Sequence, residues 1–169
     1  MTQIQNTKSY TGLIISNYDS ENINPLLPLL SEEFPNWSVA KIKSYISTVI
    51  KKKQNIAGVL VAQNEAFYYV GLLVYTFQQI TSENFGKNQN ENQFIDGLII
   101  ENLVASSPIL QKQVFMTLVE EAIRIANTNS CAFVELPKLD ESYQLVKKKY
   151  QNQITNVNGF RTFLKIWNF

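Results

Sequence analysis

The sequence contains no histidine and only one cysteine, Cys131, in 169 residues. Without histidine there is no Ser-His-Asp or Cys-His nucleophilic site, no HExxH zinc site and no imidazole general base. A lone cysteine excludes an internal disulfide and fits a reducing compartment; its apolar neighbours Ala132, Phe133 and Val134 mark it as core rather than nucleophile. A basic excess is also lacking. Fifteen Lys and Arg stand against fourteen Asp and Glu, and no basic stripe follows a helix face, so nucleic acid is not an expected partner. The run Lys51-Lys52-Lys53 ends a helix, where cations suit the dipole. No apolar stretch approaches a membrane span, and the first residues lack a signal-peptide core; a bacterial, cytoplasmic protein without membrane contact is the expectation. Neither GxxxxGK[ST] nor GxGxxG occurs. The chemistry left to the chain is that of carboxylates, hydroxyls, phenols and backbone dipoles, with no metal.

What is present is organised around residues 96–137. The length predicts one domain over 1–169. Phe94 to Val104 is apolar and β-branched, interrupted by Glu101 and Asn102, and reads as a long strand. Ser107 followed by Pro108 is a helix start. Phe115, Leu118, Val119, Ala122 and Ala126 then recur at helical spacing. The helix ends in Asn127-Thr128-Asn129, and Cys131 to Leu136 is strand again. With both strands parallel and the crossover right-handed, the helix N-terminus faces the carboxyl end of the first strand and its amides form a cradle for phosphate.

Upstream, Thr11 to Asn17 is a short strand. Asn24 and Pro25 open a first helix that Pro28 shortens or distorts. Phe34-Pro35-Asn36-Trp37 is an aromatic loop. Ser38 caps a helix whose buried face is Val39, Ile42, Tyr45, Ile46, Val49 and Ile50. Ile56 to Gln63 and Phe67 to Gln78 form a hairpin, with Gly58 and Gly71 at bulges or close backbone approaches. Thr81 to Gln93 is polar and reads as a mobile loop. Downstream, Asp140 to Lys149 is a short helix, and Ile154 to Asn158 pairs with Phe160 to Trp167 across Asn158-Gly159.

The resulting order is strand, two helices, three strands, helix, strand, helix, two strands. That order resembles the GCN5-related N-acetyltransferase (GNAT) superfamily. VLVAQNEAFYYVGLLVYTF resembles its second and third strands, and IENLVASSPILQKQVFMTLVEEAIRIA its acetyl-coenzyme A unit. The resemblance implies an α+β fold, a mixed and mostly antiparallel sheet flanked by about four helices. It also implies transfer of an acetyl group from acetyl-coenzyme A to an amine by direct attack. A catalytically silent domain of the same fold, serving as a binding module, is the alternative.

The resemblance also assigns the site. The backbone of Leu103, Val104 and Ala105 would hold the pantetheine arm. A carboxylate on that strand would take the proton from the amine: Glu101, which by strand alternation shares the face of Leu103 in an apolar run, with Asp96 second. A tyrosine of the last helix, Tyr143 ahead of Tyr150, would protonate the leaving thiolate. The family's diphosphate loop has the form Gln/Arg-x-x-Gly-x-Gly/Ala, but those places fall here on Leu110, Gln113 and Phe115. Side chains there would obstruct a diphosphate that approaches the backbone closely. Either the coenzyme sits differently, using Ser106, Ser107 and the amides from Ile109 through Leu110 and Gln111 to Lys112, or binding is lost. The acceptor pocket would lie near residues 34–37 and 160–167, whose aromatics suit a bulky or apolar amine, and a homodimer would form through the terminal strands.

Overall fold

The computed structural model describes residues 7–8, 12–81, 94–106, 110–137, 143–157 and 161–166. In chain order these form β1 (Thr7–Lys8), β2 (Ile14–Asn17), a 3-10 turn (Asn24–Leu26), α1 (Leu27–Glu33), α2 (Val39–Ile50), β3 (Ala57–Gln63), β4 (Tyr69–Thr81) and β5 (Phe94–Ala105). The chain continues through α3 (Gln111–Thr128), β6 (Phe133–Leu136), α4 (Gln144–Tyr150), β7 (Ile154–Val157) and β8 (Arg161–Lys165). Apart from the two-residue β1, which no sequence pattern announces, the elements follow the predicted order.

Local chemistry explains the boundaries. Pro25 lies in the 3-10 turn and Pro28 at the second position of α1, where a missing N–H loses no intrahelical bond. The two prolines thus divide the segment into a turn and a seven-residue helix. Ser38 caps α2, its hydroxyl accepting from the Lys41 amide at 3.2 Å. The expected buried face of α2 holds except at its first member, Val39, which is half exposed. Ser107 and Pro108 lie outside the described residues, and α3 starts at Gln111 with no side-chain cap at Leu110. Of the segment expected to be a loop, Thr81 belongs to β4, and residues 82–93 lie outside the described residues. α4 begins at Gln144; Asp140 and Glu141, expected at its start, lie outside them too.

The strands form one sheet in the order β1-β2-β3-β4-β5-β6-β8-β7. Every pairing is antiparallel except that of β5 with β6. The 3-10 turn, α1 and α2 cover one face through Leu26, Leu30, Ile42 and Ile46 against Val59, Val61, Leu72 and Val74. α3 covers the other through Val114, Leu118, Val119 and Ala122 against Leu60, Leu73, Leu98 and Ile100. Gly71 is what lets α3 lie so close to β4. A Cβ there would stand 2.3 Å from Val114 Cγ1, closer than any real contact. Gly58 is a second close approach, its space taken by the Tyr75 ring.

Candidate active site

Two irregularities of β5 create the site. The first is its parting from β6. The parallel pairing is limited to Gly97↔Phe133, Leu98↔Val134 and Ile99↔Glu135. β6 ends at Leu136 while β5 continues to Ala105, so among the described residues the β6-facing edge of β5 has no strand partner after Ile99. A cleft of about 410 Å³ opens there. Leu103, Val104 and Ala105 form one wall, and Gln111 and Phe115 of α3 another; Pro137 and Tyr143 close the side left by β6. Glu32 and Glu33, the last residues of α1, stand at the remaining side.

The second irregularity is a bulge. Val74 pairs with Asn102 and Tyr75 with Ile100, which leaves Glu101 as the extra residue. Strand alternation predicts Glu101 on the face of Leu103, embedded among apolar side chains; the bulge overturns both expectations. Leu103 packs in the α3-side core, whereas Glu101 is exposed and accepts from the Thr76 hydroxyl at 2.9 Å, towards Tyr45 of α2. An inserted residue reverses the alternation from that point on. Asn102 turns to the same side, with Tyr45 Oη donating to its Oδ1 (2.9 Å) and its Nδ2 donating to Glu33 Oε1 (3.1 Å). Burial, and after it the charges of Glu101 and Glu33, push the Tyr45 phenol up to about 12.

The other expected site residues separate into those at the cleft and those away from it. Tyr143 is buried at the cleft, its ring 5.1 Å from that of Phe115. Tyr150 lies beyond it at the end of α4, beside Lys149, with burial raising its phenol. Asp96 is at the opposite end of β5, exposed and beside Asn129 and Cys131; nine residues of strand, roughly 30 Å, separate it from Ala105. Asp96 is therefore not part of this site. Ser106 is exposed and its amide already donates to Val70 O at 3.0 Å. Lys112 Nζ donates to Gln144 Oε1 at 2.8 Å, tying α3 to α4. Gln113 and Leu110 are exposed, and Phe115 points inward. Glu32 and Glu33 were not singled out by any sequence signal, because a pair of acids ending a short helix reads as solvated surface.

A coenzyme A thioester fits part of this arrangement. The unpaired edge at Leu103–Ala105 offers backbone groups to an extended arm. The first amides of α3, at Gln111, Lys112 and Gln113, have no intrahelical acceptor and carry the positive end of the helix dipole. The glycine cradle for a diphosphate is missing, and it is Gln111, not Gln113, that lines the cleft. Among the described residues no group of three or more Cys, Asp or Glu is placed to hold a metal.

Several solved structures with this architecture are acetyltransferases. The chain superposes on aminoglycoside 6'-N-acetyltransferase AAC(6')-Ih from Acinetobacter baumannii with a TM-score of 0.60 and 14% identity, over 94% of this chain and 97% of that one. A GNAT family acetyltransferase from Staphylococcus aureus gives 0.62 and 14%, over 89% and 97%. AAC(6')-Iy in complex with a coenzyme A bisubstrate analogue gives 0.60 and 10%, over 83% and 88%. No protein-family model matches the sequence, and neither does any curated protein. The fold is that of the GNAT acetyltransferases, as the order of elements implied. At these identities the likeness establishes the fold; chemistry has to be argued from the cleft.

Proposed function

We propose that this protein is an acyl-coenzyme A-dependent N-acyltransferase that passes an acetyl group to an amine. The observation that carries the reading is the parting of β5 from β6, which opens a strand edge onto a buried phenol in one cleft. Bound there, acetyl-coenzyme A supplies the activated acyl group. The edge at Leu103–Ala105 holds its arm as an added strand, and an amide of that edge polarises the acyl carbonyl. The first turn of α3 meets the phosphates through its leading amides, with Lys112 close by. Tyr143 holds a proton at its hydroxyl and delivers it to the departing sulfur.

Thermal unfolding with acetyl-coenzyme A tests the reading. At a hundred times its dissociation constant a native-state ligand adds about 2.7 kcal/mol of stability. A raised melting temperature is expected, and no shift at millimolar coenzyme would overturn the proposal. The missing glycines at Gln113 and Phe115 favour a second reading, a binding module without turnover. That reading predicts no acylated product from any amine.

A further inference from the structure

We propose that Glu33, held by Asn102 at the β5 bulge, is the group that receives the acceptor amine and takes its proton. The inference rests on the acyltransferase reading and adds the residue that the strand pattern misassigned. Glu33 lines the same cleft as Leu103, Val104, Ala105 and Tyr143, whereas Glu101 does not. Its carboxylate is oriented through one oxygen only. Asn102 Nδ2 donates to Oε1, and the Asn102 amide is itself fixed by the phenol donating to its carbonyl oxygen. Glu33 makes no other hydrogen bond and no ion pair among the described residues, so Oε2 stays available to a ligand.

The groups around it suit an alkylammonium. Glu32 neighbours it on α1, Tyr143 lines the same cleft from the start of α4, and Tyr45 of α2 stands near both Glu33 and Glu101. None of these is a cation. Phe34, the next residue, stacks on Trp37 at 4.3 Å and meets Tyr45 edge-on at 5.7 Å, which adds aromatic surface beside the carboxylate; Lys41 Nζ lies over the far ring, Trp37, at 4.0 Å. Tyr45 is unsuited to the proton-accepting role because its phenol is held protonated and spent on Asn102. A primary amine arrives as RNH₃⁺ and gives one proton to Glu33. Its neutral nitrogen then bonds to the acyl carbon while the C–S bond breaks with its electron pair on sulfur. Sulfur takes the Tyr143 proton, the second nitrogen proton returns to Tyr143, and Glu33 releases its own to water. The balance is RNH₃⁺ plus thioester to amide, thiol and H⁺.

The test uses the full chain and three probes: spermidine, phenethylamine and a lysine-containing peptide. Calorimetry with acetyl-coenzyme A is run first, on wild type, Glu33→Gln and Glu101→Gln, followed by pH–rate profiles with the best probe. Glu33→Gln is expected to bind acetyl-coenzyme A as wild type does, to lose about 100-fold or more in kcat/KM, and to lose the acidic limb of the profile. Glu101→Gln keeps both. A Glu33→Gln protein with a wild-type rate or a retained acidic limb would overturn the assignment, as would a loss carried by Glu101→Gln. Coenzyme binding without turnover of any probe overturns it too. Absent coenzyme binding instead overturns the acyltransferase reading beneath it, a separate and recognisable result. If Glu33→Gln does not fold, Glu33→Asp is measured in its place. It is expected to keep the limb at a reduced rate, and loss of the limb counts against the proposal.

Discussion

Leu110, Gln113 and Phe115 occupy the three diagnostic places of the diphosphate loop, and the structure gives them different fates. Leu110 and Gln113 are turned to solvent, and Phe115 is buried at 4% exposure beneath Tyr143. The residue that lines the cleft from this turn is Gln111. Gln111→Gly is therefore expected to tighten acetyl-coenzyme A binding and Gln113→Gly to leave it unchanged, each costing about 1 kcal/mol of helix stability. Calorimetry beside wild type checks the pair; a gain confined to Gln113→Gly would contradict the geometry. Tyr143 yields a second prediction at this scale. Tyr143→Phe keeps the ring packed on Phe115 and removes only the hydroxyl. Acyl transfer should fall about 100-fold while coenzyme affinity holds, and an unchanged rate would dismiss Tyr143 as the proton donor.

At the scale of elements, the site depends on how β5 is pinned before it parts from β6. Its anchor is the Gly97↔Phe133 pair at the start of the parallel run. A Cβ on Gly97 would lie 1.9 Å from Phe133 Cζ, and Phe133 is fully buried, edge-on to Phe163 at 4.9 Å. The ring has no space into which to retreat. Gly97→Ala is expected to cost about 3 kcal/mol, the upper end of core overpacking. Urea denaturation measures this, and a near-neutral result would mean that the sheet yields where it looks rigid. The bulge is the other determinant at this scale. One inserted residue turns Leu103 to the α3 side and brings Asn102 between Tyr45 and Glu33.

Taken whole, the molecule holds several weak acids in neutral form by burying them. Burial raises Tyr45 and Tyr75 each to about 12 and Cys131 to about 11. A group whose folded pKa is raised contributes stability that is complete below its unfolded value and disappears as pH rises through the folded one. The reference values are 9.0 for the thiol and 10.0 for the phenols. Stability should therefore begin to fall near pH 9 with Cys131 and fall more steeply between 10 and 12 with the tyrosines. Denaturant titrations from pH 8 to 12 test the sign. Cys131→Ala should remove the earliest part of the decline, and a stability that rises across this range would contradict the burial of these groups.

Much of this was legible in the residues themselves. Helical spacing located α2 and the buried face of α3, and the Ser38 cap was readable because a hydroxyl before an apolar repeat has one common use. The order of elements identified the fold, because hydrophobic period and turn chemistry are local properties that the chain carries wherever it folds. Glu101 shows where such reading stops: period-2 alternation is sound until a register shift, and the shift opposite Val74 and Tyr75 exists only in the paired sheet. Asp96 fails for a different reason: it stands at the amino end of β5, away from the carboxyl end that the parallel unit turns toward the helix N-terminus. The closeness of Gln111 and the meeting of Glu33, Asn102 and Tyr45 join residues up to 69 positions apart. Sequence alone determined which elements form and in what order. Only the tertiary structure decided which side chains share a cleft, because that depends on sheet register and the close packing of helices across it.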